Sequence, residues 1–393
     1  MKKSKFDASA LLLVLLIALL GLAISFLCFS TMLFHQINLG LFTVFGIYCA
    51  LQNKKIANNE NKKVMMLNFI DQFIISLSIH KTLLASVKSV EELSEIAIKR
   101  ELASFSDGEP WEKIDYLSQY FNHNIYEAFL DIIKTYLEQG GEILKSSSAL
   151  LKEVGEERAN MIKIKQLHSQ KLAELIIGWA FVFLIIGMLR FVVSAIYQSL
   201  LLNNTFVYGL EFFIIFILVS FVFYFKIVLS TQVEPIKKNT TKNKYIPVTE
   251  FVKTFALFRM NLGGSGNIYK TLEKTANYSQ GLMAQELLQL VGELKTNTNL
   301  TPFIKFASRF KEPLVKHILI NIYQMMINGG DPSTLFEFNY LFDRLYELNA
   351  ETIFTGIKRK YENLAQMPMM GSGILVMLIM VGVVGLLGNM LYV

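Results

Sequence analysis

Two long apolar runs, residues 175–200 and 206–229, constrain the fold more than any other feature of this chain. A turn of uncharged residues, 201–205, separates them. A helix needs about 20 apolar residues to cross the ~30 Å hydrocarbon core of a bilayer, and each run is longer than that. Inside a bilayer the backbone must satisfy its own N–H and C=O groups, which favours helices. The sequence therefore predicts a membrane hairpin whose two flanking segments lie in one compartment.

The composition requires aqueous parts as well as membrane spans. Hydrophobic residues make up 53% of the 393 residues, too many for a soluble protein, whereas 18% are charged, too many for a chain lying wholly in lipid. The net charge is +6, but the Lys and Arg residues lie largely beside the apolar runs, as the positive-inside rule describes. No nucleic-acid motif accompanies this charge, so we expect no direct contact with nucleic acid.

Three further apolar runs complete a prediction of five spans. Residues 8–34 follow a basic N-terminus and are too long for a cleaved signal peptide. Residues 39–51 are short and become a span only if the three preceding residues are drawn into the interface. The fifth run is 369–392. The predicted outer loops, 35–38 and 201–205, lack Lys and Arg, which predicts a cytoplasmic N-terminus and an outer C-terminus.

The segments between the spans carry apolar residues at helical spacing, as at Phe69, Phe73 and Leu77, and no alternating strand pattern. We therefore predict an all-α polytopic membrane protein with two homologous cytoplasmic helical bundles. A charged helix, 153–171, is expected to run unbroken from the first bundle into a span. The predicted domains are an N-terminal transmembrane hairpin (1–52), a first bundle (53–171), a central transmembrane hairpin (172–230), a second bundle (231–366) and a C-terminal span (367–393).

An internal repeat relates the two predicted bundles. With an offset of 182 residues, Phe69 and Phe73 fall on Phe251 and Phe255. With an offset of 189, Phe121 falls on Phe310, and the two Gly-Gly pairs coincide, namely Gly140, Gly141, Gly329 and Gly330. A residue with positive φ commonly closes a helix C-terminus, so we interpret both pairs as helix–helix turns. A direct binding role is the alternative.

The order of these elements resembles the type II secretion protein F family, which includes the platform proteins of type IV pili and of the Tad pilus apparatus. The resemblance covers about residues 65–393. It rests on the two helical modules, on the turns 138–141 and 327–330, and on the charged helix before a span after each module. The N-terminal hairpin, 8–51, is similar to Tad-type members, and Glu138 has no acidic counterpart in the second turn.

The resemblance implies a multi-pass scaffold in the cytoplasmic (inner) membrane, without enzyme activity or a cofactor. It implies coupling of a hexameric secretion ATPase to the assembly of prepilin or pilin-like subunits. Other membrane assembly proteins and further copies of the chain are the remaining expected partners. The alternatives are a membrane component of a small-solute transporter or permease, and a membrane-anchored sensor. Against the transporter, the sequence shows neither a broken span nor an intramembrane polar cluster. Against the sensor, no response module follows the bundles.

The sequence contains no strong motif for a catalytic, phosphate-binding or metal-binding site. The nearest approach to a phosphate-binding loop, 264–271, has Tyr269 in place of the required second glycine, and we interpret it as a loop that opens a helix. The histidines have no partner at ligand spacing, so we expect no metal site. Cys28 and Cys49 lie in apolar runs and are interpreted as packing residues. The acids within 91–95 and 153–157 are interpreted as solvated helix faces.

Two features inside the spans are candidate sites. Arg190 and Glu211 are ionisable and lie well within the central runs, where a charge is costly unless it is paired. We predict that they pair and lock the hairpin, and contact with a pilin stalk is the alternative. Gly382, Gly385 and Gly388 form a stripe that permits close helix approach in the last span. Homo-oligomer packing and docking of a filament subunit are both compatible with this stripe.

Overall fold

The computed structural model describes residues 8–103, 109–139, 143–232, 245–265, 267–279, 281–329 and 331–391. This described part contains helices and no strand, which confirms the predicted all-α class. Its first eight helices are α1 (Ala8–Cys28), α2 (Met32–His80), α3 (Leu83–Leu93), α4 (Ile96–Ala103), α5 (Pro110–Phe121), α6 (Asn124–Gln139), α7 (Ile143–Ser146) and α8 (Ser148–Val192). The others are α9 (Ser194–Leu201), α10 (Asn204–Gln232), α11 (Val248–Ser265), α12 (Ile268–Tyr278), α13 (Gly281–Leu294), α14 (Thr301–Ala307), α15 (Pro313–Asn328), α16 (Pro332–Ala365) and α17 (Met367–Leu391).

Within the part of the chain that the structure describes, five helical segments are long and apolar enough to span a membrane: α1, α2, α8, α10 and the stretch Pro332–Leu386, which covers α16 and most of α17. They match the five predicted runs and are compatible with a multi-pass membrane protein. The predicted loop at 35–38 is wrong, because α1 ends at Cys28 and α2 begins at Met32. The polar residues of 35–38 lie inside α2, where Asn38 donates to the Phe34 carbonyl oxygen at 3.0 Å.

The chain divides into two compact units. The first unit consists of Met1–Glu60, Ile164–Glu234 and Thr355–Val393, and the second of Asn61–Lys163 and Pro235–Phe354. Three helices, α2, α8 and α16, contribute residues to both units. The charged segment 153–171 lies inside α8, so the predicted helix without a break is confirmed.

The second unit has one continuous hydrophobic core to which both of its sequence segments contribute. Buried aromatic rings occupy equivalent places in the two segments. Phe69 and Phe73 stack at 5.8 Å between ring centroids, and Phe251 and Phe255 stack at 4.2 Å. Phe121 lies 6.2 Å from Phe69, and its counterpart Phe310 lies 5.1 Å from Phe251. Equivalent pairs of rings are therefore in contact in both segments.

Helix boundaries in the second unit also repeat. Helices α6 and α15 are each 16 residues long and begin 189 residues apart, at Asn124 and Pro313. Helix α15 ends at Asn328 and is capped by Gly329, whose φ of 76° is the left-handed conformation that glycine adopts without strain. This confirms a helix-closing turn at Gly329. Gly140, Gly141 and Gly330 lie outside the described residues.

Close helix packing characterises the first unit. Helix α17 packs against α10 and α9. Trp179 on α8 donates from Nε1 to the Ser220 hydroxyl on α10 at 2.9 Å. A Cβ atom built on Gly371 would lie 2.6 Å from the Trp179 ring, so a glycine is needed where α17 passes this side chain.

Candidate functional site

A buried ionic cluster in the second unit joins three helices. Arg259 on α11 donates from Nη2 to Glu153 Oε2 on α8 at 3.0 Å, and from Nη1 to Asp343 Oδ1 on α16 at 2.6 Å. Its guanidinium also lies over the Phe342 ring, 4.8 Å from the centroid. We call these residues, together with Lys152 and Glu156 described next, the Arg259 network. An arginine is well suited to the centre of this network, because its planar guanidinium can donate to two carboxylates in fixed directions.

Two neighbours on α8 extend the Arg259 network. Lys152 forms a salt bridge with Asp343, and its Nζ lies 3.9 Å from Glu156 Oε1. Glu156 Oε2 lies 4.0 Å from Arg259 Nη2. Three carboxylates therefore face two cations across the interface of α8, α11 and α16. Such a network holds the three helices in one register, because a shift of any helix would leave a charge without its partner.

Burial sets the electrostatics of this network. The side chain of Arg259 is 3% exposed and that of Glu153 is 8% exposed. Desolvation raises the pKa of Glu153 to about 7, although the Arg259 charge opposes this rise. Desolvation also raises the pKa of Glu156, again against the attraction of Arg259. The interpretation of residues 153–157 as a solvated face is therefore wrong for Glu153, because α11 covers this side of α8.

A second set of ionic contacts lies between α8 and α2 in the same unit. Arg158 on α8 donates from Nη2 to Asp71 Oδ2 at 2.7 Å and to Asn68 Oδ1 at 3.1 Å. Lys63 on α2 bonds Glu157 on α8. Helix α8 is thus bonded to α2 as well as to α11 and α16. It therefore contacts α2 within its own sequence segment, and α11 and α16 in the other segment of the second unit.

In the first unit, a buried histidine joins α8, α10 and α16. Thr231 donates its hydroxyl hydrogen to the Val228 carbonyl oxygen, so it must accept from His168 Nε2, which lies 3.0 Å away. The remaining ring nitrogen, Nδ1, then accepts from the Tyr361 hydroxyl at 2.6 Å. This set of bonds requires a neutral imidazole with its hydrogen on Nε2. His168 therefore has a structural environment and not that of a metal ligand.

The glycine stripe of the last span packs within the chain. A Cβ atom on Gly382 would lie 2.6 Å from Leu200 Cδ2, and one on Gly385 would lie 2.9 Å from Asn203 Nδ2. Gly388 also lies in α17, but the contacts around it fall outside the described residues. The last span therefore approaches neighbouring side chains closely at Gly382 and Gly385. The groups nearest to these two positions belong to the chain's own central hairpin.

The structure does not bring Arg190 and Glu211 together. Glu211 Oε2 accepts from Asn38 Nδ2 on α2 at 2.9 Å. The Arg190 guanidinium lies over the Tyr197 ring, 5.8 Å from its centroid. The pairing was predicted from the positions of the two residues within the central hairpin alone. In the structure, α2 of the N-terminal part supplies Glu211 with a different partner, Asn38.

The sequence predicted neither a broken span nor an intramembrane polar cluster, and this counted against a transporter. The first unit contains both features. The run 175–200 is broken, because α8 ends at Val192 and α9 begins at Ser194, with Val193 at φ −116° and ψ 43°. Polar side chains also cluster in the candidate spans. The contacts are Asn38 with Glu211, Arg190 with Tyr197, Ser25 with His35, and Tyr197 with the Cys28 carbonyl oxygen. A broken helix and a polar cluster are thus both present.

In the described residues, the remaining motifs take part in helix capping or core packing. Asn267 caps α12 by accepting from the Lys270 N–H at 3.0 Å, so the part of this stretch from Asn267 onwards opens a helix as predicted, whereas Gly264 and Ser265 belong to α11. Cys28 and Cys49 are buried and free, as expected for packing residues. Within the described ranges, no group of three or more His, Cys, Asp or Glu side chains could hold a metal ion. The chain matches no protein-family model, no curated protein and no solved structure.

The sequence prediction missed the Arg259 network and Asn38. A signal existed for both, because each is a polar residue in an apolar stretch. Arg259 follows Phe255-Ala256-Leu257-Phe258, and Asn38 lies between Ile37 and Leu39. A lone polar side chain on an apolar helix face needs a partner, although the sequence does not say which residue supplies it.

Proposed function

We propose that this chain is the membrane platform of a machine related to type II secretion and type IV pilus assembly. In this role it couples a hexameric secretion ATPase to the assembly of pilin-like subunits. The observation that carries the proposal is the repeated packing in the second unit, with matching ring contacts at Phe69 and Phe251 and matching helices α6 and α15. The platform family that the sequence resembles is built from two such helical modules.

The proposal divides the second unit into two homologous bundles, both on the cytoplasmic side of the inner membrane. Lys and Arg residues beside the candidate spans support this placement, because the outer turn 201–205 contains neither. The N-terminus is then cytoplasmic and the C-terminus lies outside. Fusions of a reporter enzyme that is active only outside the cytoplasm test the orientation. Activity is expected after Leu202 and not after Lys295, and the reverse pattern would overturn the placement.

The proposed mechanism uses α8 and α16 as mechanical links. The ATPase ring acts on the bundles, and the Arg259 network makes α8, α11 and α16 respond together. Helix α8 continues without a break into its apolar part, so it passes the motion to the spans. The spans then move a pilin-like subunit. Other membrane assembly proteins and further copies of the chain complete the platform.

Crosslinking in cells tests this role. A photo-crosslinking residue is placed at Ile96 in the first proposed bundle or at Phe336 in the second, where the side chains are 75% and 74% exposed. Exposed apolar side chains are where a protein partner is expected to dock. Glu347, also exposed but charged, is the matched control on the same helix as Phe336. The full-length protein is then purified in detergent, and the attached proteins are identified by mass spectrometry.

The outcomes separate the candidate functions. Capture of a secretion-type ATPase from Ile96 or Phe336, with a prepilin in the same preparation, supports the platform and identifies the bundle that faces the motor. Capture of solute-binding or transporter subunits instead, with no ATPase of that class, would favour the permease alternative. That alternative is kept because the helix break at Val193 and the polar cluster around Glu211 are features of transport sites.

A further inference from the structure

The contact between Asn38 and Glu211 leaves two buried oxygen atoms without partners. Asn38 is fully buried on α2, and its Nδ2 donates to Glu211 Oε2 on α10 at 2.9 Å. Glu211 Oε1 and Asn38 Oδ1 are also buried, and neither has a hydrogen-bond partner. Both are acceptors, so they cannot satisfy each other while the carboxyl group is ionised. Buried polar atoms are almost always hydrogen-bonded, so this pair of atoms needs an explanation.

One hydrogen atom would satisfy both oxygens. A protonated carboxyl group has one O–H donor and one C=O acceptor, and a carboxamide has the complementary N–H donor and C=O acceptor. We propose that Glu211 binds a proton on Oε1 and donates it to Asn38 Oδ1, so that carboxyl and carboxamide form a cyclic pair between α2 and α10. The site takes a proton and holds the N-terminal hairpin against the central hairpin. This inference does not depend on the proposed function.

The surrounding ionisable groups do not supply the missing donor. Cys28 on α1 is within electrostatic range of Glu211 and of Arg190 on α8, and Tyr197 on α9 is within range of both Cys28 and Arg190. The other ionisable residues considered are His35 on α2, beside Ser25, and Tyr208 on α10, beside Phe34. His35 Nδ1 lies 2.9 Å from the Ser25 hydroxyl, and the Tyr197 hydroxyl donates to the Cys28 carbonyl oxygen. Arg190 lies over the Tyr197 ring. Helix α17, which packs against α10, carries no ionisable side chain.

A proton fits this site better than a metal ion does. Hard cations require six or more oxygen ligands, and no group of three or more His, Cys, Asp or Glu side chains is found around any point of the described residues. A carboxylate in an apolar span is costly unless a cation pairs with it, and Arg190 is engaged elsewhere. Protonation removes the charge and satisfies both oxygens with a single atom.

Infrared spectroscopy of the full-length protein in lipid nanodiscs tests the proposal. At neutral pH the wild-type protein is expected to show the C=O stretching band of a protonated carboxylic acid, which shifts on transfer to D₂O. Glu211→Gln should remove the Glu211 contribution to this band, whereas the contribution of Glu153, whose pKa is about 7, should remain. The melting temperature should stay unchanged, because glutamine can form the same cyclic pair. Asn38→Leu should keep the band but move it to higher frequency, because the carboxyl loses its hydrogen bonds. Glu362→Gln, at an exposed position, is the control and should change nothing.

Three results would overturn the proposal. The first is a Glu211→Gln spectrum at neutral pH that has lost no carboxylic-acid band relative to the wild-type spectrum. The second is a band that Na⁺ or K⁺ suppresses in the wild type, which would assign the site to a cation. The third is an Asn38→Leu spectrum identical to that of the wild type, which would show that Asn38 does not pair with the acid. This last variant keeps the test valid if Glu211→Gln fails to fold.

Discussion

Removal of the Arg259 side chain is the sharpest test of the packing in the second unit. Arg259 is 3% exposed and bonds Glu153 and Asp343. Loss of one member of a buried ion pair typically costs about 3–5 kcal/mol, because the remaining charge stays buried without compensation. For Arg259→Ala we expect the lower end, about 3 kcal/mol. Glu153, whose pKa is already about 7, can relieve the loss by binding a proton.

Hydrogen exchange measured by mass spectrometry resolves this effect locally in the full-length protein. When reclosing is faster than exchange, the exchange rate follows the opening equilibrium of each segment. A loss of about 3 kcal/mol should therefore accelerate exchange in α11 roughly 100-fold, since each 1.4 kcal/mol is a factor of ten. Arg259→Met combined with Glu153→Gln should recover most of the protection, because neither charge then remains buried at this contact.

The control is an exposed ion pair on α16. Arg344 and Glu347 lie 3.8 Å apart with side chains 60% and 69% exposed. Arg344→Ala should change exchange by no more than about 2-fold, because solvent-exposed pairs contribute roughly 0.2–1 kcal/mol. An Arg259→Ala variant that exchanges no faster in α11 than Arg344→Ala would refute the view that the Arg259 network holds α8, α11 and α16 together.

Three further predictions concern other contacts. The raised pKa of Glu153 contributes stability that is fully present below the ordinary pKa, near 4.5, and is lost as pH rises through about 7. Glu153→Gln should therefore flatten the pH dependence of α11 exchange between these two values. Tyr361→Phe removes the hydroxyl donor to His168 Nδ1 and should lower the stability of the first unit by about 1–2 kcal/mol, seen as faster exchange in α8. Gly382→Ala should lower the melting temperature relative to Gly373→Ala, because the end of the buried Leu200 side chain must move, at a cost of about 1 kcal/mol.

Each of these predictions has its own control. The Glu153 prediction fails if Glu153→Gln retains the wild-type pH profile. The Tyr361 prediction fails if Tyr361→Phe exchanges in α8 at the wild-type rate, and Tyr340→Phe, at an exposed hydroxyl, is its control. Gly373→Ala is matched to Gly382→Ala, because a Cβ atom on Gly373 meets nothing within 4 Å. Equal melting temperatures for the two glycine variants would contradict the close approach of α17 to the central hairpin.

Local properties of the sequence were sufficient for most of the fold. The length and polarity of the apolar runs predicted five candidate spans, and the helical spacing of residues such as Phe69 and Phe73 predicted the all-α class. The positive φ of Gly329 followed from its place at the end of an apolar helix. These features depend on residues within one or two helical turns, so the sequence carries them directly. The boundaries were less accurate, as the loop at 35–38 shows.

The partners of the buried charges were decided only by tertiary structure. The sequence identified Glu211 as a residue that needs a partner, but Asn38 lies 173 positions away in the chain. Arg259 was not among the predicted site residues, and its partners Asp343 and Glu153 lie 84 and 106 positions away. A hydrogen bond depends on directions and distances of about 3 Å between atoms, and helix packing sets these. Periodicity shows which face of a helix is buried, whereas only the packed structure determines which side chains meet there.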